Sequence, residues 1–206
     1  MATTLVDRNG NPIGVDALQN LKVAQGAAPY EAIVGDGKSY YTNTTTAVAS
    51  VIAVPTTAHG FAIQNISPDG GAIVVIDAVA ALVTVNSGAA LHHVGIIGNL
   101  GQTRVALVAN AAVAIKSLDG EAEQTSLPAV RTLLTGTNLD AITGVAANWF
   151  PLGNGINTAV VTLPGTQLYV PVDGRIRVKP GRLFALHTLG SVVTTSAQFY
   201  IFFHLV

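Results

Sequence analysis

From Thr46 onward, short runs rich in Val, Ile, Ala and Thr are broken at regular intervals by Gly, Pro and Asp. Strand-length runs separated by turn signals roughly every 8 to 12 residues are the pattern of an all-β sandwich or barrel. The runs are Ala47 to Val54, Gly60 to Ile66, Ala72 to Ile76, Ala80 to Val85, Val94 to Ile97, Arg104 to Val108 and Ala112 to Leu118. A later set comprises Val145 to Phe150, Ala159 to Leu163, Gln167 to Val170, Arg175 to Val178, Arg182 to Leu189 and Ala197 to Leu205. Between them stand Ser67-Pro68-Asp69-Gly70-Gly71, Leu118-Asp119-Gly120, Pro164-Gly165, Val172-Asp173-Gly174 and Lys179-Pro180-Gly181, each suited to a tight reversal. The fold this implies is an antiparallel β-sandwich, jelly-roll-like, with an extended N-terminal arm.

Alternation within the runs assigns faces. In Ala112 to Leu118, Val113 and Ile115 alternate with Ala114 and Lys116. In the last run Phe199, Ile201, Phe203 and Leu205 point one way and Tyr200, Phe202, His204 and Val206 the other. A strand apolar on both faces belongs in the middle of a sheet or against a partner.

Two segments depart from this pattern. Residues 1 to 45 alternate turn signals with isolated apolar side chains, Leu5, Ile13, Leu18, Leu21 and Ile33 among them, and read as an arm that docks through those residues. The body then runs from 46 to 206, with a loop and short-helix insertion at about 120 to 144. Within the insertion Ser126 reads as the cap of a helix reaching Leu134, with Pro128 in its first turn and Gly136 past its end.

Composition narrows the function. Of the 206 residues 50% are hydrophobic and only 10% charged, against about 25% charged in an average soluble domain. A surface so poor in ions points to coverage by other subunits, that is, a homo-oligomer. The formal net charge is -1, so neither nucleic acid nor a membrane surface is an expected partner. The longest apolar stretch, Gly71 to Val85, is interrupted by Asp77 and falls short of the ~20 residues of a spanning helix. The N-terminus lacks the basic and apolar regions of a signal peptide, which suggests folding in a cytoplasm. With no cysteine there is no disulfide or thiolate metal site.

Motifs for chemistry are sparse. Of the five histidines, His92 and His93 are adjacent and would point to opposite faces of a strand, while His59 precedes a turn. His187 and His204 lie in apolar runs, where a hydrogen-bonded core or interface role is expected, and no metal or other cofactor is implied. Gly95-Ile96-Ile97-Gly98-Asn99-Leu100-Gly101 lacks the helix that a dinucleotide fingerprint requires after its turn. Glu121 and Glu123 read as a solvated loop. Asp77, the one acid in an apolar context, belongs either at a turn between Ile76 and Ala80 or, if buried, with a partner such as Arg104. Arg175, Arg177 and Lys179 alternate along one run close to Arg182, suited to a phosphate or a carboxylate-rich partner but read more simply as an edge strand or a subunit contact. Tyr200 and Phe202 are further subunit-contact candidates, and Trp149, Phe150 and Tyr169 would make a glycan-stacking platform.

The segments LVDRNGNPI, AAPYEAI, FAIQNISPDGGAIVVIDAV and QFYIFFHLV resemble those of virion structural proteins of tailed bacteriophages. The resemblance is one of style across most of the chain, without a diagnostic motif, and carries no catalytic residue. It implies a capsid decoration or minor capsid protein with a β-sandwich body and a docking arm, often trimeric. Such a protein would act without enzymatic activity, bound to its own copies and to the major capsid or other virion proteins, and would reside in the virion after synthesis in the host cytoplasm. A glycan-binding fibre or lectin-like module is the alternative.

Overall fold

The computed structural model describes residues 38–56, 60–85, 92–101, 113–120, 127, 129–134, 148–157, 166–190 and 195–206. These form eleven strands in two antiparallel sheets packed face to face, and no helix. One sheet runs β6(Ile115–Ser117), β1(Ser39–Asn43), β11(Ser196–Leu205), β4(Val74–Val85), β9(Gln167–Val178), with β2(Val48–Ala49) on β11. The other runs β7(Val130–Leu134), β3(Phe61–Asn65), β10(Leu183–Gly190), β5(His92–Leu100), β8(Trp149–Asn157).

Without the short β2 and the flanking β6 and β7, eight strands are left, and numbering these from one to eight gives the orders 1-8-3-6 and 2-7-4-5. That is the jelly roll, two interlocked Greek keys. The sandwich expected from the sequence is present, with its topology now fixed.

The core lies between the sheets. Phe199, Ile201 and Phe203 of β11 and Phe61, Phe184 and Leu186 of the opposite sheet are fully buried there. In β4 the inward series is Val74 and Ile76, then Val79, Ala81 and Val83, a change of parity across Asp77. The cause is a β-bulge: Ile76 pairs with Phe203 and Ile176, Ala78 with Phe202 and Pro171, and Asp77 is the extra residue. Asp77 therefore stands in a continuous strand, not at a turn, and the two runs flanking it are one strand. Across from it Val172-Asp173-Gly174 buckles β9 without reversing it; Asp173 and Gly174 both take positive φ, 52° and 73°, within the strand.

Other sequence expectations shift. Residues 39–43, placed in the arm, are β1, because Tyr40 and Thr42 bury their side chains while the backbone pairs with β11 and β6; the arm residues Leu5, Ile13, Leu18, Leu21 and Ile33 lie outside the described residues. The helix expected to end at Leu134 is instead β7, paired with β3 from Phe61↔Leu134 to Asn65↔Val130. A cap and a helix-end glycine are local signals, whereas the open edge of β3 and the burial of Val130 and Leu133 are tertiary ones, and burial wins. Between Ala47 and Val54 only Val48–Ala49 forms a strand, followed by a bridge from Val51 to Leu189. β8 begins near the end of its expected run and continues through Pro151, Gly153 and Gly155, which an edge strand tolerates. A Cβ on Gly153 or Gly155 would collide with Val170 or Leu168 of β9, so the glycines permit the close approach of the two edge strands. The expected runs Arg104 to Val108 and Ala159 to Leu163 lie outside the described residues.

Buried Asn65 links the sheets. Its Nδ2 donates to the carbonyls of Ala72 (2.9 Å) and Val178 (2.8 Å), and its Oδ1 accepts from the amide of Ser67 (2.9 Å). Asn65→Ala strands these buried groups, and a loss of about 3 kcal/mol is expected in urea unfolding with an unchanged m-value.

Candidate functional site: the outer face of the β1–β11–β4–β9 sheet

The alternation that buries Phe199, Ile201 and Phe203 turns Tyr200, Phe202 and His204 outward, onto the face away from the core. Strand register arranges that face in rows. One row reads Lys116, Tyr41, Phe202, Ala78, Pro171 across β6, β1, β11, β4 and β9, and the next reads Asn43, Tyr200, Ala80, Tyr169. The two alanines leave a shallow trough over β4, and Tyr169 leans across it.

Ring contacts join the rows. Tyr41 stacks on Phe202 at 5.9 Å between centroids and 24° between planes, and Tyr169 meets Phe202 edge to face at 6.2 Å. The Lys116 ammonium lies 5.7 Å from the Tyr41 centroid, a cation–π contact at the rim. Tyr41, Tyr200 and Phe202 are half-buried, whereas Tyr169 is 59% exposed. Each aromatic pair contributes about 0.5–1.5 kcal/mol beyond its buried area, enough to hold the rings in place with their outer surfaces free. The array offers an apolar, π-rich platform with phenolic hydroxyls for polar contacts.

A third row, Ser39, His204, Val75, Arg177, borders the aromatics. Here the Asp77 carboxylate accepts from His204 Nδ1 at 2.9 and 3.1 Å. The pair is mostly covered, with side-chain exposures of 13% for Asp77 and 10% for His204. Asp77 thus has a histidine partner; Arg104, the partner considered from the sequence, lies outside the described residues. Burial pushes the Asp77 carboxyl above its ordinary value of 3.8, the His204 hydrogen bond and charge pull it down, and the Asp173 carboxylate pushes it up.

The sequence candidates divide among separate places. Tyr200 and Phe202 sit on the aromatic face, and Arg175 and Arg177 are exposed on β9 at the sheet edge. Lys179 and Arg182 flank the Pro180-Gly181 turn, closed by the Arg182 amide donating to the Lys179 carbonyl at 3.0 Å. Trp149, Phe150 and Tyr169 do not come together. The Trp149 ring meets His187 at 6.5 Å. Phe150 turns toward the core and lines, with Pro151, Leu152, Val170 and Arg175, a groove of about 260 Å³. Tyr169 lies on the outer face of the other sheet. Trp149 and Phe150 are consecutive in a strand and so point opposite ways. Tyr41 and Lys116 were not among the sequence candidates; the Tyr-Tyr pair at 40–41 was the available signal.

His187 is fully buried, its ring edge-on to Phe199 at 5.9 Å and its Nδ1 accepting from the Thr188 amide, the core role expected of it. The Gly95 to Gly101 segment is strand through Leu100, and Gly98 makes room for Phe184, Phe150 and Leu152. Among the described residues no cluster of three His, Asp or Glu is placed to hold a metal, and no helix is long and apolar enough to cross a membrane. His59, Glu121, Glu123 and the side chain of His92 lie outside the described residues.

The sequence matches no family model and no curated protein. Among solved structures, it is similar to a chain of the Israeli acute paralysis virus full particle heated to 63 degree, at 12% identity over 100% of this chain and 80% of that chain. The TM-score is 0.25, too low for the likeness to bear on fold or function.

Because the folded Asp77 carboxyl binds its proton more tightly than the unfolded chain does, its contribution to stability is full below 3.8 and is lost as pH rises through the raised value. Asp77→Asn keeps an oxygen for His204 Nδ1–H. Thermal unfolding of this variant is expected to lack that acid-range decline and to show a midpoint at pH 7 no lower than that of the wild type.

Proposed function

We propose that this chain is a non-enzymatic structural subunit of a virion, a capsid decoration or minor capsid protein of a tailed bacteriophage, acting by self-association. The observation that carries the reading is the aromatic face: Tyr41, Phe202, Tyr200 and the exposed Tyr169 form an ordered apolar surface on a chain with 10% charged residues. Ile52, Val54, Leu118, Ile156 and Val206 add further exposed apolar side chains. A shortage of ions together with ordered aromatics is what an interface between subunits requires.

The occupant is a second copy of the chain. Its composition explains why the surface needs covering, and charged groups at the rim, Lys116 and Arg177, frame the aromatics as the polar rim of an interface frames its centre. Covering about 800 Å² per partner would suffice for a stable contact. Residues 1 to 45, apart from β1, supply a docking arm toward the major capsid or other virion proteins through Leu5, Ile13, Leu18, Leu21 and Ile33. The jelly-roll order is compatible with this role and also with lectin-like domains.

Analytical ultracentrifugation tests the proposal. The wild type is expected to sediment as an oligomer, with a trimer the expected state. Tyr169→Asp, a change at an exposed position, is expected to weaken association by about 2 kcal/mol or more, roughly thirtyfold in Kd, while the variant keeps the circular dichroism spectrum of the folded chain. A wild-type monomer at its highest soluble concentration overturns the reading. Specific binding on a glycan array, lost in Tyr169→Asp, would favour the lectin-like module instead.

A further inference from the structure

We infer that the cavity between Arg177, Lys179 and Arg182 is a binding site for a phosphate group. The cavity has a volume of about 170 Å³ and is lined by Leu100, Gly101, Arg177, Lys179 and Arg182, so three cations and no acid surround it among the described residues. None of the three side chains has an ion-pair partner among the described residues, and Nη1 of Arg182 is buried without a hydrogen-bond partner. A guanidinium N–H withdrawn from water with nothing to donate to is unfavourable, as is the convergence of three like charges. A bound anion relieves both.

Protection of the sheet edge does not account for this arrangement. Arg175 and Arg177, exposed on β9, already serve to keep that edge from pairing with another strand. Arg182 leads into β10 in the opposite sheet, yet it faces the same cavity and buries one nitrogen.

The backbone around the site is held in advance of any ligand. The Asn65 amide donates to the Arg182 carbonyl at 2.9 Å, the Asn65 carbonyl accepts from the Gly181 amide at 2.8 Å, and Asn65 Nδ2 binds the Val178 carbonyl at 2.8 Å. Gly181 sits at φ 75°, where a side chain would be strained. The Lys179–Arg182 turn is thereby fixed between both sheets, so the cations are presented by a rigid frame.

Charge selects the ligand class. A carboxylate brings one negative charge to three cations, whereas a phosphate dianion brings nearly two, together with oxygens that guanidinium forks bind in pairs. The shared chemistry is that of inorganic phosphate and of a phosphomonoester. Arg177 also borders the aromatic face, whereas Lys179 and Arg182 belong to the turn after β9, so loss of phosphate binding in the Lys179 and Arg182 variants with unchanged sedimentation separates this proposal from the assembly proposal.

Isothermal titration calorimetry on the full chain decides, with sodium phosphate, glycerol 3-phosphate, acetate and chloride compared at matched ionic strength. Saturable binding of phosphate or the ester is expected, with acetate at least tenfold weaker. Tighter binding of either phosphate species supports the proposal and separates a free anion from a phosphorylated partner. Arg182→Gln and Lys179→Gln are each expected to raise the Kd at least tenfold while keeping the wild-type circular dichroism. Should Arg182→Gln not fold, Lys179→Gln and Arg177→Gln, at exposed positions, carry the comparison. Phosphate heats no larger than those of chloride, acetate binding as tight as phosphate, or unchanged binding in the folded variants would each overturn the assignment.

Discussion

β11 is the strand on which the other features depend, because it is apolar on both faces and lies inside its sheet. Its odd-numbered side chains, Phe199, Ile201 and Phe203, fill the space between the sheets, and its even-numbered ones, Tyr200 and Phe202, build the outer aromatic face. The core contribution is large, since full burial of one such side chain is worth about 1.5–3 kcal/mol. The outer contribution is smaller within one chain and leaves apolar surface exposed. A two-sided strand of this kind stabilises the fold and exposes an apolar outer surface in the same ten residues.

The bulge at Asp77 makes the two faces compatible. Without an extra residue in β4, the inward series beginning Val74 and Ile76 would carry Ala78 and Ala80 into the core and put Val79 and Ala81 outside. The shift returns the larger Val79 to the core and sends the two alanines outward, where their small size opens the trough that lets Tyr169 reach Phe202. Asp77 itself is projected beside His204. The cost of covering a carboxylate there is offset in part by the histidine hydrogen bond, and the upward shift of its proton affinity shows that burial outweighs the partner.

The far end of β9 obeys a different logic. Its outward side chains change from Tyr169 and Pro171 to Arg175 and Arg177, so an aromatic surface gives way to a cationic one along a single edge strand. The Asp173-Gly174 buckle marks the change, and Asn65 anchors the end of the strand at Val178.

Much of the fold was legible in the sequence because alternation and turn chemistry are local: β3, β10 and β11 stand close to where their patterns place them, and Gly70, Gly120 and Gly181 take the positive φ that turn residues supply. The edge character of the Arg175–Arg177 run was legible for the same reason. Asp77 was ambiguous, since a bulge and a turn both place an acid between two apolar runs and only the pairing of β4 with β11 and β9 separates them. The helix expected before Leu134 and the platform of Trp149, Phe150 and Tyr169 failed because adjacency in sequence does not set which face or which sheet a side chain joins. By itself the sequence determined the all-β class, the two-faced final strand and the scarcity of charge, through side-chain periodicity and composition. The jelly-roll order and the union of Tyr41 with Phe202 and Tyr169 were decided only in three dimensions, because each rests on pairing between strands far apart in the chain.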